Sequence, residues 1–118
     1  MKVTNKGAAP YITDRKRFDA NSMSGRWESR YCGRGWGAQC VQDYLDISID
    51  RNRDGDGIYI VYSYATPIAW YDPTTDLWFY IDQNHSVTTT RHQTITRMAI
   101  DQYNRETGWQ NNYVTVTP

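Results

Sequence analysis

The sequence lacks a hydrophobic run long enough to span a membrane, and residues 1–17 contain no apolar segment of the kind that directs secretion. We therefore expect a cytoplasmic protein that does not contact membranes. Cysteine is scarce, since Cys32 and Cys40 are the only two, which excludes a disulfide scaffold and predicts reduced thiols. The net charge is zero, and a neutral domain is a poor candidate for non-specific nucleic-acid binding unless its basic segments form one patch.

Residues suited to catalysis or metal binding are also few. Zinc would require His85, His92 and both cysteines to converge, although they lack the short paired spacings of structural zinc sites. The only glutamates are Glu28 and Glu106, so no pair of glutamates has a catalytic spacing. A hydrolase would need a cysteine such as Cys32, or a serine, beside a histidine and an orienting acid. We therefore expect no metal and no cofactor, and an enzyme is the less favoured interpretation.

The octet DRNRDGDG at residues 50–57 resembles the start of a calcium-binding loop. A complete loop carries a bidentate glutamate at its twelfth position and lies between two helices. That position is Ser63 if the loop starts at Asn52 and Val61 if it starts at Asp50, and we predict strands on both sides. The octet is therefore interpreted as a turn that connects two strands.

A glycine-rich segment, CGRGWGA at residues 32–38, contains the pattern G-x-G-x-x-A. A dinucleotide site would need a buried strand before this pattern and a helix after it, and we predict neither. Arg34 and Trp36 are instead candidate partner-binding residues in an exposed loop, where they would stack on a base or enter a groove of a partner. An ordinary surface loop is the alternative.

The order of predicted elements indicates one α+β domain. Residues 1–17 lack periodicity and are expected to form an extended N-terminal arm, ahead of a single domain at residues 18–118 that begins with loops at 18–40. Alternating or β-branched residues predict strands, and a run without Gly or Pro after Thr90 predicts one helix that ends at Gly108. The expected fold is a small antiparallel β-meander of four to five strands, with this helix from the C-terminal half packed on it. The predicted strands are residues 41–50, 58–65, 66–71, 77–82 and 113–117.

The start of the predicted helix is the best candidate site. A helix N-terminus offers unpaired backbone N–H groups and a partial positive charge, so it can bind an anion or an acidic partner. The alternative is structural, with Thr90 and Gln93 as a capping box, Arg91 in solvent and His92 packed on the flank. The residues that would surround the ligand are Thr88, Thr89, Thr90, Arg91 and His92.

Three stretches resemble a family of small uncharacterised proteins encoded by actinobacteriophages. They are RFDANSMSG at 17–25, VYSYATPIAW at 61–70 and SVTTTRHQ at 86–93, in the order typical of that family. The chain departs from the family pattern at Ala20 and Ala65, where Gly is usual, and at His85, where Tyr is usual. The resemblance implies a phage protein in the cytoplasm of a bacterial host, and it implies no mechanism. If the sheet allows it, residues 21, 22, 66 and 67 would converge with residues 88–92.

We therefore expect a small phage accessory protein, a non-catalytic binding module that contacts a host or phage macromolecule. Five Trp and ten Tyr favour this interpretation, because aromatic side chains supply large contact areas. The alternative is a protein that binds nucleic acid, a nucleotide or another anion with the basic N-terminal arm and the helix start at 88–93. A protein from the host or the phage is the expected partner, and a homo-oligomer remains open.

Overall fold

The computed structural model describes residues 3–29, 39–64, 66–82, 87–108 and 113–116, with side chains except those of 39–42 and 87–89. No described helix is both long and apolar enough to cross a membrane. The elements in chain order are a 3-10 turn at Lys6–Ala8, α1 at Ala9–Thr13, β1 at Phe18–Asp19, β2 at Met23–Glu28, α2 at Gln39–Arg51, β3 at Ile58–Ser63, β4 at Thr66–Asp72, β5 at Leu77–Ile81, α3 at Val87–Thr107 and β6 at Tyr113–Val116.

The strands form one six-stranded sheet in the order β1-β2-β3-β4-β5-β6. All neighbours are antiparallel except β5 and β6, which are parallel because α3 carries the chain back to the starting end of the sheet. The α+β class, the mostly antiparallel sheet and the C-terminal helix are confirmed, as are the predicted strands 58–65, 66–71, 77–82 and 113–117 in their main parts. The sheet has six strands rather than four to five.

The two extra strands, β1 and β2, lie in the segment that was expected to contain only loops. Gly25 explains their fit, because a Cβ at this position would lie 2.3 Å from Tyr59 Oη and 2.5 Å from Phe18 Cε1. The missing side chain therefore lets two aromatic rings pack against the backbone of β2. A glycine that indicates a loop in the sequence is here a requirement of core packing.

Residues 41–50 were predicted to be a strand, and this prediction is wrong because they belong to α2. The buried positions described for the helix are Leu45, Ser48 and Ile49, and with Asn52, directly after it, they recur at steps of three and four residues. Ile47, which a strand would bury with Leu45 and Ile49, is 53% exposed. Two of the four buried positions are polar, so the apolar residues alone show only the alternating part of the pattern.

The two faces of the sheet carry separate cores. The core on one face contains Tyr59, Val61, Tyr71 and Trp78, which pack against α1 and α3. The core on the other face contains Ile58, Ile60, Trp70 and Phe79, which pack against α2. Strand β3 contributes alternate residues to both, as expected for a strand that is covered on both sides.

The N-terminal segment is helical where an extended arm was expected. Pro10 lies in the first turn of α1, where a proline costs no hydrogen bond. Ile12 is fully buried, and Thr13 Oγ1 donates a hydrogen bond of 2.9 Å to the carbonyl oxygen of Ala99 in α3. These contacts attach the segment to α3 and to the core on that face.

The octet at 50–57 connects α2 to β3, so its predicted position between two strands is wrong. Asn52 is buried, and its Nδ2 donates to Asp72 Oδ1 at 2.8 Å. Asp50 pairs instead with Arg53 at 2.5 Å. In the described ranges, no group of three His, Cys, Asp or Glu side chains is close enough to hold a metal. The octet is a turn, as predicted, although its flanks differ.

Candidate functional site

His92 lies in the second turn of α3, on the face that packs against the sheet, and is only 1% exposed. Its Nε2 is 2.8 Å from Ser22 Oγ, and its Nδ1 is 2.6 Å from Ser63 Oγ. A single imidazole therefore joins the connection between β1 and β2, the end of β3, and the start of α3.

The sheet places both serines under the helix. Ser63 is the last residue of β3, and it faces α3 because it follows Tyr59 and Val61 at steps of two residues. Ser22 lies in the tight connection from β1 to β2, which is closed by a hydrogen bond of 2.8 Å from Ala20 N to Met23 O. Met23 pairs with Ser63 across the two strands, so the two serines come together on the same side of the sheet.

Asn5 extends this set of contacts toward the N-terminal segment. Its Nδ2 donates to Ser22 Oγ at 2.9 Å, and the Ser22 N–H donates to Asn5 Oδ1 at 3.4 Å. The two contacts together fix the orientation of the Asn5 side-chain amide, since its nitrogen faces the Ser22 hydroxyl and its oxygen faces the Ser22 N–H. Ser22 is partly exposed, whereas Ser63 is only 2% exposed. We name the chain formed by Asn5, Ser22, His92 and Ser63 the His92 relay, and Ser22 is the hydroxyl through which it reaches the surface.

Burial lowers the pKa of His92, so the imidazole is neutral at pH 7. A neutral imidazole has one donor and one acceptor nitrogen, which suits two hydroxyl partners. One arrangement uses each group once: Ser22 accepts from Asn5 and donates to Nε2, while Nδ1–H donates to Ser63 Oγ. Such a histidine presents no positive charge to an anion.

Tyr64, directly after Ser63, lies beside the relay at the surface. Its φ is 57°, a left-handed conformation that is uncommon for a residue with a large side chain. The Tyr64 N–H donates to the carbonyl oxygen of Ser22 at 2.7 Å, and the Tyr64 ring lies 5.8 Å from the imidazole of His92. The side chain is nevertheless 62% exposed. An exposed aromatic ring therefore lies beside His92 at the surface end of the relay.

The predicted site residues fall into three groups. Thr90 and Arg91 are exposed near the start of α3, and His92 is turned into the interior. Thr88 and Thr89 lie in the first turn of α3, and their side chains are outside the described part of the structure. Arg34 and Trp36 also lie outside the described residues. The role of these residues in binding an anion or a partner stays a prediction.

Of the structural alternative, the capping box of Thr90 and Gln93 is wrong, whereas Arg91 is exposed and His92 is packed inside, as that alternative predicted. The helix begins at Val87, so Thr90 is inside it rather than at its cap. The Thr90 carbonyl oxygen accepts a bond of 3.1 Å from Thr94 Oγ1, and Gln93 Nε2 donates to the carbonyl oxygen of Ile81 at 3.2 Å. Gln93 therefore attaches the helix to β5.

The buried stripe of α3 is not the apolar one that its sequence suggests. The spacing of Ile95, Met98, Ala99 and Tyr103 predicts one apolar stripe, yet Met98 is 63% exposed beside α1, in a groove of about 480 Å³. The stripe instead includes two polar residues, His92 and Thr96, whose side chains are hydrogen-bonded. As in α2, buried polar residues are invisible to a count of apolar positions.

The expected convergence holds for one pair, Ser22 and His92, which are in contact. Sequence reasoning missed Asn5 and Ser63 as members of the site. Ser63 lies in the family-like stretch at 61–70, but only the register of β2 and β3 shows that it meets Ser22. A hydrolase site would have combined Cys32, His92 and an acid, and Cys32 lies outside the described residues. The two ring nitrogens of His92 contact serines and not an acid.

A second polar cluster lies near the other end of α3. The hydroxyls of Tyr71 and Tyr103 both donate to Asp76 Oδ1, and the Arg15 guanidinium lies 4.9 Å and 4.6 Å above their two rings. Burial, reinforced by Asp76, raises the pKa of both tyrosines, so both remain protonated donors. Two protonated tyrosines supply no general base. The cluster joins the end of α1, the turn from β4 to β5, and α3.

Comparison with known proteins identifies a family for the chain but no activity. No curated protein and no solved structure matches it significantly. A family profile matches residues 38–111, well over half of the chain. That range includes Ser63, Tyr64 and His92, and it leaves Asn5 and Ser22 outside. The chain belongs to this family, a family of unknown function (DUF8033).

Proposed function

We propose that the protein is a small phage accessory protein that acts as a binding module inside a bacterial host. It contacts a host or phage macromolecule through a surface that comprises Tyr64, Thr90 and Arg91, which we name the Tyr64 surface. The phage setting is supported by the three stretches that resemble actinobacteriophage proteins. The choice of surface is supported by the exposure of all three residues and by the contact of the Tyr64 ring with His92, which directly follows Arg91.

The observation that carries this proposal is the conformation of Tyr64. A left-handed φ costs a residue with a Cβ roughly 1–2 kcal/mol, and glycine or asparagine at this turn would reduce that cost. The ring recovers little by burial, because the side chain is 62% exposed. Strain without burial is typical of functional positions. The backbone of Tyr64 is bound to Ser22 and its ring contacts the imidazole of His92, so a partner would meet an aromatic group at a defined position.

Arg91 gives the Tyr64 surface its charge. His92 is buried, and its neutral imidazole leaves Arg91 as the charged group within the stretch 90–93. Tyr and Arg are among the residue types that most often dominate binding energy at interfaces. We infer that the partner presents an apolar or aromatic group next to an acidic one, which a protein surface supplies readily.

A nucleic acid or a nucleotide is the second candidate, and one observation favours it. Asn5 contacts Ser22, and Ser22 contacts His92, so the basic N-terminal segment reaches the start of α3. Lys6, next to Asn5, is exposed. Basic groups from two parts of the chain then share one region, the condition under which a neutral domain binds phosphates.

Affinity capture from an actinobacterial lysate, with and without nuclease, tests both candidates. The bait is the full chain, either unchanged or carrying Tyr64→Asn, which keeps the fold because asparagine tolerates a left-handed φ. Tyr44→Ala is the matched control, since Tyr44 is 44% exposed on α2, which covers the opposite face of the sheet. We expect a nuclease-resistant protein whose binding is at least about 10-fold weaker for Tyr64→Asn and unchanged for Tyr44→Ala.

Two results would contradict the first candidate. Equal binding by both variants would exclude the Tyr64 surface as the interface. Capture that disappears with nuclease would favour the second candidate, for which Arg91→Ala should reduce the salt dependence of binding by about one phosphate contact. The second candidate would be excluded if the protein did not bind a short DNA or RNA even at low salt, where contacts to phosphates are strongest.

A further inference from the structure

We propose that Ser22 is a nucleophile activated by His92, so that the protein accepts the acyl group of a small carboxylic ester on the Ser22 hydroxyl. This activity goes beyond the binding function proposed above. Ser22 Oγ lies 2.8 Å from Nε2 of the imidazole, and Nδ1 on the other side lies 2.6 Å from Ser63 Oγ. A hydroxyl on one nitrogen and an orienting group on the other is the arrangement that serves nucleophilic catalysis.

Exposure decreases along the relay in the direction that this chemistry needs. The base and its orienting residue are 1% and 2% exposed, so water does not compete for their hydrogen bonds. Ser22, at the outer end, is partly exposed and can meet a substrate. The Tyr64 ring, which is 62% exposed, lies 5.8 Å from the imidazole that contacts Ser22, and we assign it as an apolar wall for the acyl or the leaving group. An ester with an aryl or short alkyl part matches this surface.

The hydrogen bonds allow the transferable proton to lie in the right place. In the tautomer that carries its proton on Nδ1, Ser22 accepts from Asn5 Nδ2 and donates its own hydroxyl proton to Nε2 of His92. The imidazole is ready to accept it, because burial holds His92 in its neutral form. The second amide hydrogen of Asn5 has no partner among the described residues, so it can donate to the oxygen of a tetrahedral intermediate.

In the first step, Ser22 Oγ forms a bond to the ester carbonyl carbon while its proton passes to His92 Nε2. The bond from that carbon to the leaving oxygen then breaks, and the leaving group takes the proton from Nε2. The products are acyl-Ser22 and an alcohol. In the second step, His92 takes a proton from water, the resulting hydroxide attacks the acyl carbonyl, and Ser22 leaves with that proton as a carboxylic acid is released.

Ser63 stands where hydrolases place a carboxylate, and this predicts slow turnover. Ser63 is a positioning residue, since it acts only by holding Nδ1 protonated and the ring in its plane. An uncharged partner stabilises the imidazolium less than a carboxylate does, and loss of that carboxylate from a serine triad lowers kcat by about 10⁴. Acylation of Ser22 in a single turnover is therefore the sensitive readout, rather than steady hydrolysis.

The experiment exposes the full chain to p-nitrophenyl acetate and, separately, to a fluorophosphonate probe, and locates the adduct by mass spectrometry of peptides. We expect one adduct, on Ser22, which disappears in Ser22→Ala. His92→Gln should slow labelling by about 100-fold or more, the usual contribution of a general base. Ser24→Ala is the matched control, since Ser24 is a partly exposed serine of β2, and labelling should not change.

Circular dichroism of each variant shows whether it is folded. If His92→Gln does not fold, Ser63→Ala replaces it, and a slower rate must accompany loss of the Nδ1–H tautomer in the ¹⁵N spectrum of the imidazole. The proposal is overturned if no adduct forms, if the adduct lies on Tyr64 or a lysine, or if a folded variant without the base labels Ser22 at the original rate.

Discussion

Replacing Gly57 by alanine is expected to destabilise the fold by several kcal/mol, for two separable reasons. Gly57 has a φ of 85°, which costs a residue with a Cβ about 1–2 kcal/mol. A Cβ there would also lie 1.8 Å from the carbonyl oxygen of Glu28 and 2.6 Å from Ser29 Cα. These are backbone atoms that cannot rotate away, so a shift comparable to overpacking, about 1–3 kcal/mol, is added. The sum is about 2–5 kcal/mol.

Two other glycines separate the contributions. Gly108 has a φ of 79°, and no described atom lies within 4 Å of its added Cβ, so Gly108→Ala should show only the conformational cost, about 1–2 kcal/mol. Gly55 lacks a positive φ, and the nearest atom to its Cβ is 3.9 Å away, so Gly55→Ala should be neutral or slightly stabilising. Asparagine, which tolerates a left-handed φ, should restore stability at position 108 and not at position 57.

Urea unfolding followed by tryptophan fluorescence measures the series. With a slope of about 2 kcal/mol per molar urea, Gly57→Ala should lower the midpoint by about 1–2.5 M. If Gly57→Ala and Gly108→Ala lower stability equally, the collision with Glu28 does not occur. The turn after α2 would then not pack against the end of β2, and the position of the whole octet would be wrong.

Three further predictions concern the buried groups. Burial lowers the pKa of His92, so the unfolded chain binds a proton more readily than the folded protein. The free energy of unfolding should therefore fall as the pH drops below about 6.5, by at most about 1.4 kcal/mol per pH unit. Urea unfolding at several pH values should show that the free energy of unfolding of His92→Gln depends less on pH. Asp72 is fully buried, accepts hydrogen bonds from Asn52 and Thr74, and forms an ion pair with Arg51, so Asp72→Ala should cost about 2–4 kcal/mol in the same assay. Asp50→Ala, which breaks an exposed pair, should cost less than about 1 kcal/mol. Leu45→Ala should lower the free energy of unfolding by about 2–5 kcal/mol, while Ile47→Ala, on the exposed side of α2, should leave it nearly unchanged. Equal losses at the two positions would favour a strand at residues 41–50 over α2.

Regular apolar patterns made half of the fold predictable. Strands β3 to β5 are bounded by turn residues and built from β-branched and aromatic residues, so their type follows from local sequence. α2 was not predictable in this way, because two of the buried positions are polar, namely Ser48 within the helix and Asn52 directly after it. Their burial depends on partners far along the chain: Ser48 Oγ accepts from Trp70 Nε1 at 3.1 Å, and Asn52 donates to Asp72. Only the folded sheet supplies those partners.

The candidate site was predictable in its location and not in its members. The start of α3 was identified from the physics of helix ends, and His92 was among the residues named. The burial of His92 depends on strand register, which brings Ser22 and Ser63 to it from 70 and 29 residues away. No local pattern encodes two such separations. The sequence analysis named His92 as a residue beside a bound anion, whereas the structure makes it a buried, hydrogen-bonded and neutral base.

The order of strands in the sheet has a consequence for how the chain folds. β3, β4 and β5 follow one another within residues 58–81, so they can pair before distant parts of the chain are ordered. β2 must close a loop that contains α2, and β6 can join β5 only after α3 has crossed the sheet. We therefore expect refolding to start in the three central strands and to end with β6. Until that last pairing, the outer edge of β5 remains open, and the final four-residue strand protects the refolding chain from edge-to-edge association.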